Sequence, residues 1–320
     1  MEAIGGYFEL ELANRSGFLH DDGVLLNSGR NALEYVFRAL GDAKHVWIPY
    51  YTCDVMLEPI TKLGIPFSFY RLDERLELKE EMTLQVGDYL LYTNYFGIKD
   101  GYVKWLAEKF GSKLVVDNAQ AWYANPIDGT NTIYSPRKYV GIPDGGIAYC
   151  LKQLDENCFE RDDSYNRCSH LLKRIDVGAV EGYHDFKDND RKLCEQPIRL
   201  MSKLTKSMLS SIDFEEIKRK RMSNFEQLHE LLKPSNKFDL PELSTFACPM
   251  VYPYLTDNAY LRRKLIENQV FVATYWQNVL DWTEEGMLER ELVARLLPIP
   301  CDQRVGKSDI DRIISILKMA

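Results

Sequence analysis

From Asn27 to about Leu151 the chain alternates short apolar, β-branched or aromatic runs with stretches whose apolar residues recur every three or four positions. The short runs are 46–50, 66–71, 89–95, 113–117, 132–135 and 146–151, each bounded by polar residues or glycine. That length and punctuation predict strands. Between them, 30–40 sets Leu33, Val36, Phe37 and Leu40 on one helical face, and 101–110 does the same with Val103, Leu106, Ala107 and Phe110. Strands separated by amphipathic helices predict an α/β fold with a mainly parallel sheet covered by helices, because parallel neighbours need a crossover and the crossover helix packs on the sheet.

Past Leu151 the pattern becomes more charged. The segment 185–192, Asp-Phe-Lys-Asp-Asn-Asp-Arg-Lys, reads as a solvated loop. From about 212 to 232, Ile217, Phe225, Leu228 and Leu232 recur at helical spacing beside the basic run 218–221, which reads as a solvated face. The remainder again mixes strand-like and helix-like patterns and ends in an amphipathic helix, 308–318, with Ser308 as its N-cap. At 320 residues the chain exceeds the usual single-domain length. We therefore expect a large domain over 1–205 and a smaller α/β domain over 206–320.

Composition narrows the setting. Forty basic against forty-eight acidic side chains leave a net charge of -8, which argues against a nucleic-acid surface. No apolar run approaches the roughly 18 residues a bilayer span requires, and the opening residues do not read as a leader. The expected compartment is the cytoplasm, with no membrane partner. Seven cysteines (53, 150, 158, 168, 194, 248 and 301) form no Cys-x-x-Cys pair, and their odd number suits a reducing compartment. Most are expected as small buried apolar residues. The five histidines show no ligand spacing, so no metal is assigned.

The candidate chemistry centres on Lys138, in Ser135-Pro136-Arg137-Lys138-Tyr139-Val140-Gly141-Ile142-Pro143-Asp144-Gly145-Gly146, downstream of Val115-Val116-Asp117-Asn118-Ala119-Gln120. An acid, a lysine and paired glycines are the residue types of a pyridoxal phosphate pocket. There the amine condenses with the cofactor aldehyde and the carboxylate keeps the pyridine nitrogen protonated. Asp117 ends a very apolar run, so its carboxylate should emerge at the carboxyl edge of the sheet, where open α/β folds place ligands. An Asp capping the following turn fits the same position. Gly29 and Arg30 open a helix behind Ser28, where free N–H groups and the helix dipole favour a phosphate. An ordinary N-cap at Ser28 is the plainer reading. Lys138 taken alone would be a solvated lysine. The glycine pair permits a tight turn and close backbone approach.

Taken in order, these segments resemble the DegT/DnrJ/EryC1/StrS sugar aminotransferases, fold-type I pyridoxal phosphate enzymes with the aspartate aminotransferase fold. Asn27-Ser28-Gly29-Arg30-Asn31-Ala32-Leu33 resembles the family's Ser-Gly-Thr-x-Ala-Leu helix start, and Ile48-Pro49-Tyr50-Tyr51-Thr52 its Pro-x-x-Thr segment. Residues 93–97 resemble the strand end that follows. Asp117-Asn118-Ala119-Gln120-Ala121 is similar to Asp-Ala-Ala-Gln-Ala, and Leu296-Leu297-Pro298-Ile299-Pro300 to the Leu-Pro-x-x-Pro strand. The resemblance covers nearly the whole chain. It implies Lys138 as the Schiff-base lysine, Asp117 as the pyridinium partner, and Gln120 beside the ring hydroxyl. Ser28, Gly29, Arg30 and Ser135 would surround the phosphate of pyridoxal 5'-phosphate. It further implies an amino donor, glutamate or glutamine, a keto-sugar acceptor that is free or nucleotide-linked, a homodimer, and a place in polysaccharide or deoxyaminosugar synthesis.

Several positions depart from that family. Cys53 stands where a stacking aromatic is expected, leaving Tyr50, Tyr51 or Phe96 as substitutes. The family's Ser-Phe-His-x-x-Lys is shortened to Ser135-Pro136-Arg137-Lys138, and no asparagine occurs in 196–202. Arg137 reads as structural. Tyr7 and Tyr275-Trp276-Gln277 are candidate substrate contacts and equally candidate core or interface residues. Two other readings fit the same residues: a pyridoxal phosphate enzyme of elimination or decarboxylation, and a noncatalytic scaffold that keeps the fold. A nicotinamide dehydrogenase is disfavoured, since no Gly-x-Gly-x-x-Gly follows the first expected strand.

Overall fold

The computed structural model describes residues 4–318 of the chain. Its centre is a sheet of β1 (Val24–Leu26), β2 (His45–Pro49), β3 (Phe67–Tyr70), β4 (Asp88–Thr93), β5 (Leu114–Asn118), β6 (Asn131–Tyr134) and β7 (Gly146–Tyr149). They lie in the order β1-β7-β6-β5-β4-β2-β3. The run from β3 to β6 is parallel, and β7 lies antiparallel to both of its neighbours. β5 is buried at every position, which is why its Leu114-Val115-Val116 reads as an apolar run rather than an alternating pattern. β1 escaped the sequence reading because three residues show no period; its pairing with β7 defines it.

Helices α1 (Gly29–Leu40), α2 (Leu57–Lys62) and α3 (Asp100–Phe110) supply the crossovers. α1 stops at Gly41, whose φ of 70° suits glycine and whose N–H caps the Phe37 carbonyl. The two sheet faces feed different cores. Val36 and Phe37 of α1 share a cluster with Ile48, Leu91 and Val115, whereas Leu106 of α3 joins Leu90, Tyr92 and Val116 on the other side.

Beyond β7 the chain forms α4 (Ser169–Asp176), α5 (Ala179–Lys192), α6 (Lys203–Ser211) and the long α7 (Phe214–Leu232). A second, two-stranded antiparallel sheet follows, made of β8 (Val251–Leu255) and β9 (Leu296–Pro300). Around it lie α8 (Tyr260–Glu267), α9 (Val279–Trp282), α10 (Leu288–Arg295) and α11 (Lys307–Lys318). The position between 205 and 206, where a domain boundary was expected, falls inside α6, and the helical break comes between α6 and α7.

Three local expectations are corrected. Residues 185–192 are helical, the second half of α5: their charges pair at helical spacing, Arg191 with Asp188 at 2.7 Å and His184 with Asp188 at 3.4 Å, and the buried Asn189 donates to the Pro143 carbonyl at 2.7 Å. Arg221 is buried, although its neighbours in the basic run are not. Ser308 lies inside the first turn of α11, and Gly306 holds the capping position: its carbonyl accepts from Ile310 and its N–H donates to the Asp309 carboxylate. All seven cysteines are free thiols; Cys168, Cys248 and Cys301 are buried, Cys158 is exposed and the others are half-buried. Among the described residues no helix is long and apolar enough to cross a membrane.

Candidate active site

β4 and β5 run in parallel with Thr93 opposite Asp117, so both side chains arrive at the carboxyl edge of the sheet. Asp117 is buried. Its Oδ1 accepts the Ala119 N–H at 2.9 Å and its Oδ2 the Thr93 hydroxyl at 3.3 Å. Burial pushes this carboxyl up from its ordinary range, and the Lys138 ammonium opposes that shift. Gln120 follows one turn later and is also buried. Its Oε1 accepts the Phe96 N–H at 2.8 Å, while its Nε2 has no hydrogen-bond partner. A buried amide donor left unpaired is costly, so this atom marks a place for an acceptor.

The start of α1 packs on β6 and β7. The Ser28 hydroxyl accepts the Asn31 N–H at 3.1 Å, the N-cap anticipated from the sequence. Gly29 and Arg30 are the first two residues of α1, whose N–H groups have no acceptor within the helix. A Cβ at Gly29 would stand 3.6 Å from Ser135 Cβ and 3.8 Å from its Oγ, so the Ser135 hydroxyl borders the helix start. A Cβ at Gly146 would stand 2.0 Å from the Ser28 carbonyl oxygen and 2.7 Å from the Gly29 nitrogen. The preceding Gly145 donates its N–H to the Asn27 carbonyl at 2.6 Å. The glycine pair therefore backs the 27–29 turn, a role that spacing alone did not reveal. Arg30 takes its guanidinium elsewhere, to Glu58 at 3.1 Å and Asp190 at 3.7 Å. Only its backbone faces the turn as a free donor. Arg137 shares Asp190 at 3.2 Å.

Lys138 closes a short 3-10 turn, 136–138, and is exposed. Its ammonium acts on Asp117 and on the Cys53 thiol. Its side chain lines a cavity of about 750 Å³ walled by the α4–α5 hairpin on one side and by the second sheet on another. Arg137, Lys138, Arg174, Arg221 and Arg304 line it with a single carboxylate, Asp302. Asp302 is taken by Arg304 through contacts of 2.8 Å to each oxygen. Arg221 donates to the Met250 carbonyl at 2.9 Å and to Gln303 Oε1 at 3.0 Å, and its guanidinium lies 4.5 Å from the Tyr139 ring centre. A signal for it existed: Arg221 stands four residues from both Ile217 and Phe225, on the apolar face of α7.

The three substitutes for the missing stacking ring separate. Tyr50 stacks on Phe69 at 4.7 Å, Tyr51 is buried edge-on to Trp276 at 4.9 Å, and Phe96 lies parallel to Tyr275 at 6.1 Å with its N–H on Gln120. Tyr275 lines the cavity and Trp276 belongs to the core, whereas Tyr7 is exposed.

Comparison with known proteins gives the fold a context. DesV of S. venezuelae, solved in complex with a ketimine intermediate, superposes with a TM-score of 0.65 at 17% identity over 93% of this chain and 84% of that one. A DegT/DnrJ/EryC1/StrS aminotransferase from Brucella abortus gives 0.60 at 15% identity over 92% and 85%. NtdA from Bacillus subtilis, with bound cofactor PMP, gives 0.63 at 14% identity over 92% and 72%. No protein-family model matches the sequence, and no curated protein does. The chain has the fold of these aminotransferases.

Proposed function

We propose that this chain is a pyridoxal phosphate-dependent aminotransferase that moves an amino group from glutamate or glutamine to a keto sugar. What supports this reading is the burial of Asp117 and Gln120 at the carboxyl edge of the sheet, with the Lys138 charge acting on Asp117, in a fold shared with a protein solved with bound PMP. The residues fit the cofactor. Gln120 Nε2 is a buried donor without an acceptor, burial raises the Asp117 carboxyl in spite of the Lys138 charge, and the missing Cβ of Gly29 leaves the helix N–H groups open beside Ser135.

In this reading Asp117 holds the pyridine nitrogen, Gln120 the ring oxygen, and the hydroxyls of Ser28 and Ser135 with the N–H groups of Gly29 and Arg30 hold the phosphate. Bound there, the cofactor supplies the electron sink for breaking a bond at the substrate carbon. Lys138 would anchor it, and its amine, when free, would take the proton from the substrate carbon on Nζ. A cation beside Asp117 offsets the burial that favours its neutral form, keeping it a carboxylate while it works. The cationic lining of the cavity favours an anionic acceptor, such as a nucleotide-linked keto sugar. The working unit is a homodimer in the reducing cytoplasm, serving polysaccharide or deoxyaminosugar synthesis.

The test is chemical tagging. Protein incubated with pyridoxal 5'-phosphate and reduced with borohydride should carry a pyridoxyl mass on the Lys138 peptide, and Lys138→Ala should carry none. A tag on another lysine, or no tag, sinks the proposal.

A further inference from the structure

Lys138 is placed by its turn and not by its own amine. Among the described residues no side chain hydrogen-bonds or ion-pairs with it, so its position depends on the 136–138 turn. That turn carries Arg137, whose side chain is 13% exposed and whose carboxylate partner is Asp190, at 3.2 Å. Asp190 comes from the C-terminal half of α5, outside the large sheet. Its other oxygen meets Arg30 at 3.7 Å, and Arg30, 9% exposed, meets Glu58 of α2 at 3.1 Å. Glu58 in turn accepts the Glu195 N–H at 2.6 Å.

Glu58, Arg30, Asp190 and Arg137 therefore alternate in sign, and Asp190 is the joint between the two cations. Those cations belong to the two segments that the site must hold in register. Arg30 follows Gly29 at the start of α1 and Arg137 precedes Lys138. The segments adjoin where a Cβ at Gly29 would stand 3.8 Å from Ser135 Oγ. Burial, the largest influence, disfavours the charge on Arg137; Asp190 opposes it, and the Arg30 charge adds to it. Without Asp190, the largely buried Arg137 would keep its charge with no partner beside that of Arg30, and breaking one half of such a pair is costly. α5 makes a second tie to the same loop, since the buried Asn189 donates to the Pro143 carbonyl at 2.7 Å.

We propose that Asp190 is a positioning residue for Lys138. By bridging Arg137 to Arg30 it fixes the 135–138 turn against the start of α1, so that the amine and the helix N–H groups address one ligand together. A reactive side chain is only as well placed as the contacts that lock its own backbone. The identity of that ligand rests on the pyridoxal phosphate reading above; the fixing of the turn does not.

Hydrogen exchange on the cofactor-free protein, combined with borohydride tagging across a range of pyridoxal 5'-phosphate concentrations, tests it. The proteins compared are wild type, Asp190→Asn, Asp190→Glu, Arg137→Gln and the double variant Asp190→Asn with Arg137→Gln. The Asp190 side chain is 44% exposed, so Asp190→Asn should keep the wild-type circular dichroism. The amides of Lys138, Tyr139 and Val140 bond within the turn, to the Ser135 and Pro136 carbonyls. In Asp190→Asn they should exchange at least ~tenfold faster, the size of one charge-assisted hydrogen bond, and the concentration for half-maximal tagging of Lys138 should rise at least ~tenfold. Asp190→Glu, which keeps the carboxylate, should recover most of both. Because Asp190 acts through Arg137, the double variant should lose little beyond Arg137→Gln alone. Unchanged exchange in Asp190→Asn, no recovery in Asp190→Glu, or fully additive losses in the double variant overturn the proposal. Faster exchange with tagging unmoved overturns it as well. Faster exchange beside a wild type that takes no tag on Lys138 overturns the cofactor reading instead and leaves Asp190 fixing the turn.

Discussion

Gly29 and Gly146 differ in what one methyl group would meet, and that difference separates folding from ligand binding at the site. At Gly146 the added carbon would lie 2.0 Å from the Ser28 carbonyl oxygen, a main-chain atom that cannot turn away. Gly146→Ala should therefore shift β7 from the helix start and cost roughly 1–3 kcal/mol, as overpacking does. At Gly29 the same carbon would meet Ser135 at an ordinary 3.6 Å. Gly29→Ala should leave the unfolding free energy within about 1 kcal/mol of wild type, since alanine also favours the helix. It should nonetheless weaken pyridoxal phosphate binding at least ~tenfold by filling the space against Ser135. Urea denaturation and cofactor titration of the two variants read the contrast; equal effects on both quantities would contradict it. Ser28 and the glycine pair were legible as residue types in the right order, because capping and close approach are local requirements. The burial of Arg221 and the diversion of the Arg30 guanidinium to Glu58 and Asp190 were not, because each depends on elements distant in sequence.

Asp144 acts at the scale of elements, tying the start of β7 to the start of α6. It is fully buried and accepts the Ser202 N–H at 2.9 Å, the Ser202 hydroxyl at 3.0 Å and the Thr205 hydroxyl. Burial, the largest influence, outweighs those donors and pushes its carboxyl up to about 6 from 3.8. Because the folded value is the higher one, the neutral acid favours the folded state. That contribution is complete below 3.8 and is lost as pH rises through about 6. Between pH 4 and 8 wild type should lose about 2 kcal/mol more stability than Asp144→Asn, which cannot ionise there. Urea unfolding of both proteins across that range measures the difference, and parallel curves would refute the assignment. α5 shows the limit of sequence reading at this scale. Its charges look like a solvated loop until the i, i+3 and i, i+4 pairs and the bond from Asn189 to Pro143 are seen together.

At the scale of the whole molecule, Leu90, Tyr92 and Val116 of the large sheet share one buried cluster with Phe225 of α7, Tyr252 of β8 and Ile299 of β9. Phe225 is fully buried, with ring centres of Tyr252 at 5.1 Å and Phe246 at 5.6 Å. Phe225→Ala should cost about 3–5 kcal/mol. Amides of β4 and β8 should lose the same exchange free energy, because a shared core couples the two sheets into one cooperative transition. A loss confined to β8 would show that the sheets unfold separately. The sequence by itself determined the α/β character, the strands β2 to β7 and the order of Asp117, Gln120, Ser135 and Lys138. Periodicity, turn chemistry and strand ends are set by neighbours a few residues apart. Tertiary structure alone decided that β7 runs against the sheet, that Gly146 lies on Ser28, that the hairpin walls the cavity, and that Gln120 Nε2 is left without an acceptor. Those facts depend on which distant backbone or side chain fills the space beside each residue, and local pattern carries no record of that.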